Sequence, residues 1–288
     1  MTLHQKTPKS FILFMAGTLG ETAFVHIRQL SLFGMITLLP DNIIHKIANE
    51  KLASEPDNST SWFTSIRKLC TKYNLPSPLS LMSHPPTKSV FKNMIKKKVL
   101  DFWQQEHRED AKSKPSLSKF FKPDYMSLTQ PHPLWTTSHN NSFEINKSLV
   151  VSKLLSGRYR SDWLCRHWSK SNPSGFCLLC PGKMIPGTVE HMLVACEGLA
   201  HKREDITMYW KQQTEDNEHL QALTTTKLCS EVDEQVQFLL DPSVVPSVIR
   251  GCQLQHFSLD DVFKLTRTFC YALHRRRLQL IGRFNYRK

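Results

Sequence analysis

Four residues with metal-ligand chemistry leave the chain few choices between Gly175 and Cys196. Cys177, Cys180, His191 and Cys196 form the pattern C-x2-C-x10-H-x4-C. Two residues between cysteines is the spacing of a tight turn that aims both thiolates at one ion. Gly182, just behind the second cysteine, lets the chain curl back. Thr188 stands where it can cap a short helix carrying His191. At about 100° per residue, His191 and Cys196 would lie roughly 140° apart on an unbroken α-helix. The helix is therefore expected to end or tighten before Cys196. Structural zinc takes four ligands in a closed tetrahedral shell, whereas catalytic zinc keeps a position open for water. Three thiolates and one imidazole fill the shell, so the pattern predicts one structural Zn2+. The competing reading is three reduced cysteines and a histidine that merely share a hairpin. It is the weaker one, because spaced Cys/His quartets outside a disulfide framework are usually metal sites.

The 288 residues give room for one to three small domains with a real core. Lys and Arg outnumber Asp and Glu by 38 to 25, which makes the net charge +13 and the pI about 9.4. Such an excess favours a polyanionic partner, nucleic acid (RNA or DNA) before an anionic membrane surface. Cys70, Cys165, Cys229, Cys252 and Cys270 lack framework spacing and read as reduced thiols, consistent with a nuclear or cytoplasmic protein. Lys6 and Lys9 precede the apolar run from Phe11 to Ala16, as in a secretory signal, but the run is short and is diluted by Gly17 and Gly20. No apolar run approaches the ~20 residues needed to span a bilayer. Neither a membrane nor a small-molecule substrate is expected as a partner.

Apolar periodicity predicts a mainly α chain of helical bundle segments, and the Cys3His quartet predicts a small zinc-stapled module among them. Phe24, Ile27, Leu30, Leu32, Phe33 and Ile36 recur at three- and four-residue steps and predict a core-facing helix. Pro40 ends it, and Asp41 can cap another helix running to about residue 53. Trp62, Ile66 and Leu69 mark a third helix. Pro76, Pro78, Pro85 and Pro86 leave little room for regular structure in the next stretch. A long amphipathic helix comes next, over about 89–107, with Phe91, Ile95 and Val99 as its stripe. Residues 111–142 read as loop. Further helices are expected over about 144–155 and 199–213, and from residue 258 onward. His26 reads as a satisfied histidine, not a catalytic one.

Charge is unevenly spread. Residues 51–130 hold 14 Lys and Arg against 7 Asp and Glu, while 201–261 reverse the sign with 5 against 11. The acidic stretch is not expected to face nucleic acid. Directly before the metal ligands, basic and aromatic residues interleave: Arg158, Tyr159, Arg160, Trp163, Arg166, Trp168 and Lys170. Such a mixture can stack bases and hold phosphates, or the rings can simply cover a zinc-stapled core. The tryptophans are assigned to packing, and Arg158, Arg160, Arg166 and Lys170 to phosphate contact. Lys96, Lys97 and Lys98 on the long helix form a second set, with a solvated helix face as an equal alternative. Arg275, Arg276 and Arg277 form a third, in a basic stretch that is acid-free from residue 262. Cys165 and His167 are spare ligand types at a less apt spacing. Asp260 and Asp261 invite comparison with the metal-binding Asp-Asp turn of polymerases. Ser258 two residues earlier and the helical pattern after the pair identify a capping box instead.

Several stretches resemble the C-terminal part of the polyprotein of LINE-type (non-LTR) retrotransposons, downstream of the reverse transcriptase active site. They are Phe11-Ile-Leu-Phe-Met-Ala-Gly, the Ile27-Arg-Gln-Leu-Ser-Leu-Phe-Gly-Met run, residues 61–69 with 73–78, and residues 126–135. The most specific are Leu155-Ser-Gly-Arg-Tyr-Arg and the Cys/His quartet. The resemblance covers about residues 10–205. It implies a nucleic-acid-binding zinc knuckle held by Cys177, Cys180, His191 and Cys196, in a family whose polymerase and endonuclease lie upstream. This chain carries neither the polymerase Asp-Asp turn nor a recognisable endonuclease, so no catalysis of its own is expected, and a partner polymerase is a further candidate partner. The expected divisions are 1–56 after the palm, a basic connector over 57–135, the knuckle module over 136–205, and C-terminal helices over 206–288. Two rival readings stand beside this one. One is part of an active RNA-directed DNA polymerase and endonuclease; the other is a zinc-stapled protein–protein module.

Overall fold

The computed structural model describes residues 6–56, 58–138, 141–166, 172 and 174–285. Local side chains cap many of the helix starts, though not those at Glu21, Pro115, Ala200, Val232 and Pro246. Helices α1 (Lys9–Ala16) and α2 (Glu21–Thr37) are separated at Gly17, whose φ of +61° favours glycine. Helix α3 (Ile43–Ser54) is capped by Asn42, which accepts the Ile44 N–H at 2.9 Å, not by Asp41 as expected. Ser61 caps α4 (Trp62–Lys72) by accepting the Thr64 N–H at 3.1 Å. The proline-punctuated stretch is more regular than expected. Ser77 caps α5 (Pro78–Ser83), and Pro78 occupies a first-turn position where its missing N–H costs nothing. The long helix α6 (Lys88–Ser113) exceeds its expected span at both ends.

The stretch expected as loop contains two single turns, α7 (Pro115–Ser118) and α8 (Pro133–Thr136), each led by proline. Asn141 caps α9 (Ser142–Leu155) and Ser161 caps the one-turn α10 (Asp162–Cys165). The remaining helices are α11 (Ala200–Gln213), α12 (Glu218–Leu228), α13 (Val232–Leu240), α14 (Pro246–Gln253) and α15 (Leu259–Asn285). Ser258 accepts the Asp261 N–H at 3.1 Å while Asp261 accepts from the Ser258 N–H and hydroxyl, the reciprocal bonds of a capping box. The Asp260-Asp261 pair thus starts a helix. Among the described residues there is no strand; Phe176 and Pro186 form one isolated antiparallel bridge.

The chain packs as two compact units. One comprises Ala16–Asp110 and Ser127–Gln130. Its core is built from Leu30 and Phe33 of α2, Ile66 and Leu69 of α4, and Phe91, Ile95 and Val99 of α6, all buried. Helix α2 turns only part of its apolar pattern inward: Phe24 and Leu32, expected in the core, are about half exposed. Tyr73 organises the polar side of this core. Its hydroxyl accepts from Trp103 Nε1 at 3.0 Å and lies 2.5 Å from His26 Nδ1, which accounts for His26 as a hydrogen-bonded histidine.

The other unit comprises the residues up to Met15, Ala111–Met126 and the chain from Pro131 onward. Helix α15 is its axis, packed by α9, α11 and α13. Trp210 packs edge-on to Phe238 and tilted against Phe269, with ring centroids 6.4 and 5.3 Å away. Arg267 of α15 is wholly buried, yet its charge is matched. It donates to the Leu134 and Thr137 carbonyls and lies 3.5 Å from Glu144. His132 and Asp241 form a second buried polar pair at 3.3 Å. His132 Nδ1 accepts the Leu134 N–H, so Nε2 carries the proton and donates to Asp241. Burial opposes the Asp241 carboxylate, but His132 and the two bonds from Ser243 outweigh it and lower its pKa. The expected divisions at 135/136 and 205/206 are not packing boundaries: the knuckle and the C-terminal helices share this unit.

Candidate metal centre

The knuckle is a hairpin closed by backbone. Cys177 N–H donates to Ile185 O at 2.8 Å, and Gly187 N–H to Gly175 O at 2.9 Å. Within the turn, Cys180 N–H reaches Cys177 O and Lys183 N–H reaches Cys180 O, both at 3.3 Å, while Gly182 adopts φ +79°. Thr188 caps as expected, its hydroxyl accepting the His191 N–H at 3.2 Å. The join between His191 and Cys196 differs from expectation. The backbone widens into a π turn over His191–Ala195, closed by the Cys196 N–H on His191 O at 2.7 Å. A tightened turn would have carried Cys196 further round the axis. The wider i→i+5 turn brings it back beside His191, which is what a ligand pair at that spacing requires.

The four ligand atoms lie within 4.8 Å of one another and all four residues are buried. Cys177 Sγ and Cys180 Sγ each stand 3.7 Å from Cys196 Sγ, and Cys180 Sγ stands 3.4 Å from His191 Nε2. A disulfide requires about 2.05 Å between sulfurs, so these are not bonded pairs. A tetrahedral ion with bonds of about 2.3 Å to sulfur and about 2.05 Å to nitrogen spaces sulfurs about 3.8 Å apart, and sulfur from nitrogen about 3.6 Å. The observed separations fit. The cluster can hold a metal ion in a closed shell.

Electrostatics favour a cation here. The Cys177 thiol is pulled down to about 5, first by its bond with Cys196, with burial opposing and the Leu179 N–H and His191 assisting. The same bond, with burial and the neighbouring sulfurs, pushes Cys196 up. Crowded thiols thus resist joint ionisation, and a divalent ion removes that resistance. Arg203 on α11 is half-buried beside Cys180 and Cys196, whose charges offset the burial that lowers its pKa; its Nη1 is buried without a hydrogen-bond partner.

Asp162 ties the knuckle to the helical unit. Its Oδ2 accepts the Leu178 N–H at 3.2 Å inside the Cys177–Cys180 turn. Its Oδ1 pairs with Arg277 Nη2 of α15 at 2.7 Å. Gly187 passes so close that a Cβ there would stand 2.6 Å from Asp162 Cβ. Sequence reasoning missed Asp162 and Arg203. Neither belongs to a spaced motif, and only packing reveals their partners.

The sequence-assigned cations fall in different settings. Arg160 is exposed, and Arg158 and Arg166 are half-buried. Arg166 lies 3.6 Å over the Trp163 ring, and Trp163 is 40% exposed, so it does not cover the metal core as expected; Tyr159 is the buried ring. Lys170, His167 and Trp168 lie outside the described residues. Lys96 and Lys97 are exposed and Lys98 half-buried on α6; Arg275 is exposed and Arg276 half-buried on α15. Arg277 is a correction. It is buried, bonded to Asp162 and to Arg160 O, because its position on α15 turns it toward the core. No protein-family model, curated protein or solved structure matches this chain.

Proposed function

We propose that the Cys3His cluster holds one structural zinc ion and that the folded knuckle presents a nucleic-acid-binding surface, without catalysis of its own. The observation that carries the metal is the convergence of three sulfurs and one imidazole nitrogen at tetrahedral spacing. Zinc suits a thiolate-rich, closed shell better than a hard cation that prefers oxygen. When bound, it fixes the turn geometry and leaves no site for activated water.

The nucleic-acid reading rests on the charge surplus and on the residues beside the knuckle. Arg160 is exposed and the Trp163–Arg166 stack offers a planar face with a guanidinium over it. Single-stranded RNA or a DNA–RNA junction fits such a face better than a duplex groove does. We further propose, from the resemblance to LINE-type retrotransposon proteins, a role beside a reverse transcriptase in the nucleus or cytoplasm. The rivals are membership of an active polymerase–endonuclease polyprotein and a zinc-stapled protein–protein module.

The test measures zinc content and binding to single-stranded RNA and DNA against salt. One zinc per chain is expected, lost in Cys180→Ser. Affinity is expected to fall steeply with salt, as counterion release requires. Arg160→Ala and Trp163→Ala are expected to weaken binding without releasing zinc. Salt-independent affinity would sink the nucleic-acid reading, and magnesium-dependent nicking or extension by the purified chain would revive the enzyme.

A further inference from the structure

A groove between α2 and α6 joins an apolar floor to a cationic rim. It encloses about 180 Å3 and is lined by Gly34 and Met35 on one side and Phe91 and Ile95 on the other. Gly34 makes it possible: a Cβ there would stand 2.1 Å from the Phe91 ring, so the helices meet closely at that point. Lys88 and Lys92 also line it, both exposed and one turn apart on one face of α6. No acid occurs in the chain from residue 88 to residue 100, and the acids of α6 begin only at Asp101, more than two turns beyond Lys92. Met35 is 47% exposed, and Leu32 and Leu39, one turn to either side of it in sequence, are 48% and 52% exposed. Exposed large apolar side chains beside such a groove are what a docking partner would cover.

We infer that this groove docks an amphipathic helix with an acidic edge. The charge of the rim selects the sign of the partner. Lys88 and Lys92 stand about 6 Å apart along the axis, and acids at i and i+4 on an aligned helix repeat at the same step. The floor accepts individual side chains at i, i+3 and i+7, the mode by which helices fill grooves. A planar lipid surface meets the rim but not a floor enclosed between two helices. A nucleobase finds no platform either, because Phe91 is only 5% exposed.

The experiment uses the full chain and fluorescence anisotropy with a labelled helical peptide carrying leucines at i, i+3 and i+7 and flanking glutamates. Saturable binding is expected. Lys88→Glu with Lys92→Glu should weaken it by about tenfold, as two reversed rim charges imply, and a peptide with lysines in place of glutamates should recover that loss. Met35→Asp should abolish binding of the acidic peptide. All three side chains are solvent-facing, and circular dichroism verifies that the variants fold. Equal binding of both peptides to the wild type would overturn the inference. So would no peptide binding alongside Met35-dependent binding of phosphatidylserine vesicles or of single-stranded RNA, which would assign the groove to lipid or to RNA.

Discussion

The knuckle and the unit of residues 16–110 stay folded for different reasons. The helical unit buries a continuous set of large side chains, Leu30, Phe33, Ile66 and Ile95 among them, and each loses water on folding. The knuckle buries its four ligands with only a few apolar neighbours, Leu179, Met192, Leu193 and Leu199, and leaves Leu178 38% and Met184 81% exposed. Its hairpin has one bridge and no ladder. On the proposed reading a bound zinc ion supplies what so small a core lacks, its binding free energy becoming folding free energy of the turn. One region therefore depends on many small, interchangeable contributions, and the other, on that reading, on one large term and a few named residues.

The largest expected effect breaks the two apart. Removing zinc with a strong chelator, or Cys180→Ser, withdraws a term of about 10 kcal/mol in apparent binding free energy. Hydrogen-exchange protection across 175–199 should collapse, while amides of α4 and α6 remain protected. Equal loss in both would mean the contrast is wrong. The reverse experiment is Ile66→Ala. It opens a cavity in the helical core and should cost about 3 kcal/mol, read by urea unfolding, with zinc content unchanged.

Legibility in the sequence divides the same way. The ligand set could be read because metal geometry imposes spacing on sequence, and helix existence because apolar periodicity does. Capping was readable at Thr188 and Ser258, and misread where Asp41 and Asn42 competed. Two kinds of fact were hidden. Which side of α2 faces inward is decided by the helices packed on it, so Phe24 and Leu32 could not be placed from their own pattern. Long-range polar partners left no local trace: Asp162 with Arg277, and His132 with Asp241, are 115 and 109 residues apart. The π turn at His191–Ala195 was hidden for another reason. The spacing demanded a departure from α geometry, and the expectation took tightening, which carries Cys196 further round, where the structure widens and brings it back.

The join between the knuckle and α15 supplies two sharper tests. Arg277→Ala leaves Asp162 buried without its cation and should cost about 3 kcal/mol, with the salt dependence of the proposed nucleic-acid binding unaltered. A changed salt slope would return Arg277 to the set of phosphate contacts. His274 on the same helix is held down to about 4, by burial first and then by Arg277, Lys153 and Arg275; its Nδ1 accepts from Tyr159. A histidine neutral when folded takes up a proton on unfolding between pH 6.5 and about 4. Stability should therefore be full above pH 6.5 and fall as pH drops through that window, by about 2 kcal/mol after discounting for partial solvation. His274→Gln should flatten that slope in urea titrations. A slope left intact would assign it to other groups.

The smallest expected effect concerns Arg203. Zinc with three thiolates and a neutral imidazole carries a formal charge of −1, and the site lies in a partly desolvated setting where that charge is costly. Arg203 is the half-buried cation beside Cys180 and Cys196, with Nη1 lacking a hydrogen-bond partner. Thiolate sulfur is a soft acceptor, so the guanidinium contributes mainly by charge. Arg203→Gln should weaken zinc retention by about fivefold, near 1 kcal/mol, in competition with a chromophoric chelator. Arg203→Lys, which keeps the charge on a shorter reach of donors, should recover part of it. Both variants should leave the unfolding of residues 16–110 untouched, since that unit draws nothing from the ion. If zinc retention is the same in all three proteins, the negative charge of the site is balanced by solvent alone, and the knuckle depends on fewer residues than its packing implies.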